Sequence, residues 1–279
     1  MPAADTPFVI GVIREKEKGL LEDDEYTRII QAPTVSEAYQ ALMDTPYGVY
    51  FATDSSPYEA IAKRLESEME WLRDAVLDKQ ILSFIQARYD ALHIAQALLD
   101  FQAGKENALF ASQLGSITAE LLTSTIWHDT GWDSLPAMWR TFVRDERSKI
   151  KTAPESFSSQ ELLERVESVF HVNVEKLATS ELTRAIAQLE QERRLQEQSD
   201  RPDNLPDDIS AVEKGWDEKL LVELRRFRGE PTDGDAIIAW WFALAMEART
   251  LRLLLSAKAG GLTTEQLVPL QRSLYRSWV

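Results

Sequence analysis

The chain has 279 residues, with 31 Lys and Arg against 46 Asp and Glu for a formal net charge of −15, and 44% of its residues are hydrophobic. An acidic balance of that size repels phosphate backbones and anionic headgroups, which argues against nucleic acid and direct lipid insertion and in favour of protein partners. The absence of cysteine excludes disulfides, Cys-ligated zinc or iron–sulfur centres and thiol nucleophiles.

Residues 1–5 lack the basic and apolar regions of a secretory leader. The longest apolar run, 236–246, is too short to cross a bilayer and leads into Glu247, Arg249 and Arg252, so a soluble protein is expected. Gly and Pro are scarce, at 11 each, and helix formers dominate. The expected fold class is all-α.

In chain order, Phe8, Val9, Val12, Ile13, Leu20 and Leu21 form a stripe at helical spacing and predict one helix over 8–22. Short helices follow over 26–31 and, after Pro33 and Thr34-Val35-Ser36, over 38–43, ending near Pro46-Tyr47-Gly48. Ser55-Ser56-Pro57 reads as a helix start, and Ile61, Leu65, Met69, Leu72 and Val76 carry a long amphipathic helix to Leu77. A second, over 80–99, bears Ile81, Phe84, Ile85, Tyr89, Leu92, Ala95 and Leu98 and stops near Gly104; both belong in a bundle.

Gly115 then breaks the pattern and Thr118 caps a short helix through Leu122. Residues 127–139 concentrate Trp127, Trp132 and Trp139 in a stretch punctuated by Gly and Pro. Ser158 and Glu161 make a capping box before a helix with Leu162, Leu163, Val166 and Val169, and a charged helix over 180–198 is expected to pair with it. Pro202, Asn204 and Pro206 make 200–208 a loop. A helix over 209–222 and a turn over 231–235 precede the most apolar helix, 236–258, which ends at Gly260-Gly261. Thr263 and Gln266 open a last short helix, and the chain closes at Tyr275 and Trp278. No segment alternates with period two for long enough to make a sheet.

One unit recurs. Asp90 to Leu98, with His93, resembles Glu247 to Leu255, with Thr250; each is followed by a basic residue, Lys105 or Lys258, and a glycine break. Ile117-Thr118-Ala119-Glu120 then matches Leu262-Thr263-Thr264-Glu265, with room between the copies for a third over 161–189.

Four stretches together resemble a known family: 8–21, from Phe8-Val9-Ile10 to Leu20-Leu21; Val35-Ser36-Glu37-Ala38 to Leu42 with Thr45-Pro46-Tyr47; Tyr89-Asp90 to Leu99 with 115–122; and 212–217 with 237–267. By their order and spacing the chain resembles the C-type subunit of the prokaryotic V/A-type ATPase or ATP synthase, the counterpart of the d-type subunit of the eukaryotic vacuolar pump. It departs from the family at His93 and Thr250, where Asn is usual, and at Leu244-Ala245, where a Lys-Glu pair is usual.

The resemblance implies three similar helical bundles in a pseudo-threefold, funnel-like arrangement. It implies a non-catalytic adapter without cofactor or metal, which sits on the cytoplasmic face of the membrane, receives the D and F shaft subunits and docks on the proteolipid rotor ring. The membrane stator subunit is a further partner, and torque serves proton or sodium transport. On this reading 1–122 is a first bundle region, 123–208 a divergent middle region and 209–279 a C-terminal helical region packing with the N-terminal helices. The family-motif positions Asp90, His93, Thr118, Glu120, Glu247, Thr250, Arg252, Thr263 and Glu265 become candidate binding residues, and Trp127, Trp132 and Trp139 candidate docking aromatics.

The rival chemistry is an HD-type metal-dependent phosphohydrolase, in which His93, His128 and Asp129 ligate a metal that activates water. It requires those three side chains to converge. The chain has no GxxxxGK[ST] phosphate loop, no GxGxxG after a strand and no GxSxG elbow. ATP hydrolysis by this chain itself is therefore not expected.

Overall fold

A computed structural model describes residues 6–51, 56–106, 113–199, 209–228 and 234–277. The loop expected over 200–208, the turn residues 231–233, Ser55 and Trp278 lie outside the described residues. Among the described residues the fold is all-α, with no strand. In chain order the helices are α1 (Thr6–Glu17), α2 (Asp23–Gln31), α3 (Val35–Met43), α4 (Pro57–Ala75), α5 (Lys79–Gln102), α6 (Ala119–Ile126), α7 (Ala137–Thr152), α8 (Ser159–Leu177), α9 (Glu181–Ser199), α10 (Ile209–Arg226), α11 (Asp235–Ala259) and α12 (Thr264–Leu267).

Helix starts follow from side-chain oxygens placed before apolar stripes. Thr34, Ser56 and Thr263 form capping boxes with Glu37, Glu59 and Gln266, while Thr118 and Ser158 accept from Leu121 and Glu161 N–H groups. Each such cap contributes about 1 kcal/mol by satisfying a backbone donor that the helix leaves open. The first helix is shorter than its apolar stripe suggests. It ends at Glu17, and Lys18, Gly19 and Leu20 donate to carbonyls three residues back. Leu20 and Leu21 are still buried, but as part of a turn.

The chain forms two compact units, Met1–Ile81 with Ser180–Val279, and Leu82–Thr179. In the first unit α11 is the central element. It packs against α1, α3, α4, α9, α10 and α12, while α2 lies on α3 and α9 on α10. Residues 235–248 of α11 are buried or half-buried on every side, including Trp240 and Trp241, which is why that half is almost wholly apolar, whereas Arg249, Leu253 and Ser256 give the second half an exposed face. Residues 271–277 stitch this unit shut: Arg272 meets Asp217 at 3.1 Å, Tyr275 Oη donates to Glu17 at 3.0 Å, and Arg276 donates to the Lys18 and Leu20 carbonyls at 2.7 and 2.9 Å.

In the second unit α7 packs against α6 and α8 around a core that includes Leu122, Ile126, Trp139, Val143, Leu162 and Phe170. Two features differ from the sequence reading. Residues 137–152 are a helix that the tryptophans and prolines around it concealed. The charged helix α9 has its partners in α10 and α11, and α8 has its partner in α7.

Candidate functional site

Five of the nine family-motif positions, Asp90, His93, Thr118, Glu247 and Thr263, do one physical job: they hold the backbone next to the start of a helix. On α5, buried Asp90 accepts the Ser116 and Ile117 N–H groups at 2.6 and 3.0 Å and the Ser116 hydroxyl at 2.6 Å. His93 Nδ1 lies 3.2 Å from the Ile117 carbonyl, which can only accept, so this nitrogen carries the proton. The clasp closes tightly on Gly115, where a Cβ would stand 2.6 Å from Asp90 Oδ1 and 2.8 Å from His93 Nδ1. Directly after it, Thr118 caps α6. Burial raises the Asp90 carboxyl above the usual range, against the opposing pull of the Ser116 hydroxyl, the two N–H groups and His93. Glu120 is exposed, and its own backbone N–H and the Thr118 hydroxyl lower its carboxyl.

On α11, Glu247 does the same for the approach to α2. Its carboxylate accepts the Leu21 N–H at 2.7 Å and the Tyr47 hydroxyl at 2.9 Å, and lies 3.5 Å from Arg64. Arg64 in turn sits over the Tyr47 ring, 4.1 Å from its centroid, and donates to the Gly19 carbonyl at 2.5 Å. Burial drives the Glu247 carboxyl upward, opposed by Arg64, the Leu21 N–H and Tyr47. Burial and the neighbouring carboxylate raise Tyr47 well above its ordinary value, so its hydroxyl stays a donor. Beside this cluster Lys16 pairs with Glu68 at 2.5 Å, 4.5 and 5.8 Å from the Trp71 and Trp240 ring centroids.

Further along α11, Thr250 donates to the Met246 carbonyl one turn back and Arg252 is half-buried. Lys258 donates to the Ile30 and Ala32 carbonyls at 3.0 and 2.5 Å. Thr263 caps α12, and Glu265 is exposed. Thus Asp90, His93 and Thr118 come together in one unit and Glu247 with Tyr47 and Arg64 in the other.

The tryptophans divide by environment. Trp139 is only 1% exposed and is a core residue, so it has no surface to offer a partner. Trp127 is half-buried, edge-on to Phe101 with centroids 5.3 Å apart. Trp132 is half-buried, donates its indole N–H to Asp129 at 2.9 Å and carries Arg144 over its ring at 4.8 Å. The turn that bears it uses left-handed backbone at Asp129 (φ 61°) and Gly131 (φ 73°), the latter a position that suits glycine. It is tied to α7 by Arg140, which donates to the Asp133 and Leu135 carbonyls, and by buried Arg147, which donates to Ile126 O and lies 3.2 Å from Asp129.

The sequence reading missed this basic stripe and the buried partners Tyr47, Arg64 and Glu146. The stripe had a signal, since Arg140, Arg144, Arg147 and Lys151 share one helical face. Glu146 had none; it is buried beneath Arg165 and Lys149 at 2.8 and 2.7 Å.

The metallohydrolase alternative fails on geometry. Among the described residues no three His, Asp or Glu side chains gather as a metal set. His93 is turned to Ile117, His128 is exposed with Nε2 3.4 Å from Glu106, and Asp129 is engaged by Trp132 and Arg147. No helix among the described residues is long and apolar enough to cross a membrane.

Among curated proteins, none matches the chain. A family model, that of the ATP synthase (C/AC39) subunit, matches residues 9–150, which takes in the Asp90 clasp, the Trp132 turn and most of α7. The stretches 212–217 and 237–267, which carried part of the sequence resemblance, lie beyond it. The match spans just over half of the 279 residues, and the chain belongs to the ATP synthase (C/AC39) subunit family of the V/A-type ATPases.

Proposed function

We propose that this protein is the central-stalk adapter of a V/A-type rotary ATPase, without an active site of its own. It links the D and F shaft subunits to the proteolipid rotor ring, with the membrane stator subunit as a further neighbour, and transmits torque for proton or sodium transport from the cytoplasmic face. The observation that carries the reading is the family match over residues 9–150. Three similar bundles around a pseudo-threefold axis are part of the proposal.

The side chains support a mechanical role. A torque-bearing part must resist shear between helices. Here the family-motif acids Asp90 and Glu247 are spent on fixing backbone, and the ion pairs around Glu247 are buried, where solvent screening is weak. Glu120, Glu265 and half-buried Arg252, with Trp127 and Trp132, are the candidate residues still available to partners.

The test is affinity capture from the native host with this chain as bait, followed by mass spectrometry and an ATPase assay on the eluate. Recovery of the nucleotide-binding subunits with D and F is expected. Recovery of the bait alone from membranes that contain those subunits would overturn the proposal.

A further inference from the structure

We infer that the Trp132 turn and the exposed edge of α7 form a docking surface for an acidic peptide segment of a partner protein. The inference stands on the charge of this surface and does not rest on the rotary reading. The chain as a whole carries −15, yet α7 sets Arg140, Arg144, Arg147 and Lys151 along one face. Two of these cations are used internally, Arg140 on the Asp133 and Leu135 carbonyls and Arg147 on Ile126 and Asp129. Arg144 and Lys151 are exposed; among the described residues neither has a carboxylate within 4.0 Å, and Lys151 acts on Asp129 only through its field.

Arg144 is held in place without a carboxylate. Its guanidinium sits 4.8 Å from the Trp132 ring centroid. A guanidinium stacked on an aromatic face keeps its N–H edge open and has already lost much of its side-chain freedom, so an arriving carboxylate meets a preorganised fork. Of the nearby acids, Asp129 takes the Trp132 indole and Arg147 and also faces Lys151, Asp133 lies 3.5 Å from Arg140, and exposed Asp145 and Glu155 flank the two cations along the chain without pairing with Arg144. Arg and Trp are the residue types that most often carry interface energy. The net charge of −15 repels an acidic ligand at long range, so attachment is favoured where cations share one face.

The test titrates the full-length protein into a fluorescein-labelled peptide of alternating Glu and Leu, read by anisotropy at low and physiological salt. Saturable, salt-sensitive binding is expected. R144E/K151E should weaken it by about tenfold or more, and the milder R144Q/K151Q by less, with thermal melts unchanged. Lys63→Glu, a single charge reversal at an exposed position on α4, should bind as the parent does. The inference is overturned by absence of saturable binding to the parent, by equal binding to R144E/K151E, or by equal loss in Lys63→Glu. Capture of phosphatidylserine vesicles through Arg144 and Lys151 without peptide binding also overturns it.

Discussion

Glu247 and Lys258 stand on one helix and hold opposite ends of another. The carboxylate takes the N–H just ahead of α2, and the ammonium donates to the carbonyls where α2 ends. This places negative charge at the positive end of the α2 dipole and positive charge at its negative end. The helix's own sequence follows the same polarity, with Asp23, Asp24 and Glu25 in its first turn and Arg28 in its last.

Lys258→Met keeps the aliphatic bulk and removes the two charged hydrogen bonds. The expected cost is about 1–3 kcal/mol, with faster amide hydrogen exchange in α2 and unchanged protection in α9 and α10. Equal protection of α2 in parent and variant would show that its end does not depend on this lysine.

The upward shift of Glu247 sets a direction for pH dependence. The folded state binds this proton more tightly than the unfolded chain, so the group's contribution is full below the ordinary carboxylate pKa and is lost as pH rises through the folded value. The stability of the parent minus that of Glu247→Gln should therefore fall as pH rises across that window. Denaturant melts at a series of pH values measure it; Asp90, also shifted upward, is common to both proteins and cancels. A difference independent of pH would mean that Arg64, Leu21 and Tyr47 fully offset burial.

Gly115→Ala should destabilise by about 1–3 kcal/mol, because the added methyl meets Asp90 and His93 in a filled space. Asp90→Ala removes the acceptor for Ser116 and Ile117 and also removes the closest of the clashes, leaving the one with His93. The double variant should therefore lose clearly less than the sum of the single losses in thermal or denaturant melts. Strict additivity would separate Gly115 from the clasp.

Trp139→Ala and Trp132→Ala should part company. The first empties a core position and should cost about 3–5 kcal/mol. The second removes a half-buried ring and one indole hydrogen bond, about 1 kcal/mol. Similar losses in denaturant melts would contradict the assignment of one to the core and the other to the surface.

The long helices were legible because their apolar residues recur with helical period: 55–77, 80–99 and 236–258 correspond to α4, α5 and α11. Capped starts at Thr118, Ser158 and Thr263 were legible for the same local reason. Helix α7 was not, since its buried face includes Glu146 and Arg147, which a hydrophobic pattern scores as surface. The likeness between Asp90 and Glu247 marked two buried acids that accept backbone N–H groups. Local likeness could not reveal their targets: Asp90 grips residues shortly after its own helix, whereas Glu247 grips Leu21 near the other end of the chain.

A nascent chain meets these contacts in a fixed order. The unit Leu82–Thr179 is contiguous and leaves the ribosome whole, whereas its companion is interrupted by it and needs residues 180–279. Leu21 meets Glu247 across 226 positions, Ile30 meets Lys258 across 228, and Glu17 meets Tyr275 across 258. Contacts so distant in sequence are slow to form and leave apolar surface uncovered meanwhile. The apolar faces of α1–α4 therefore stay uncovered until residues 235–277 have been made, and a product that stops before α11 keeps those faces open.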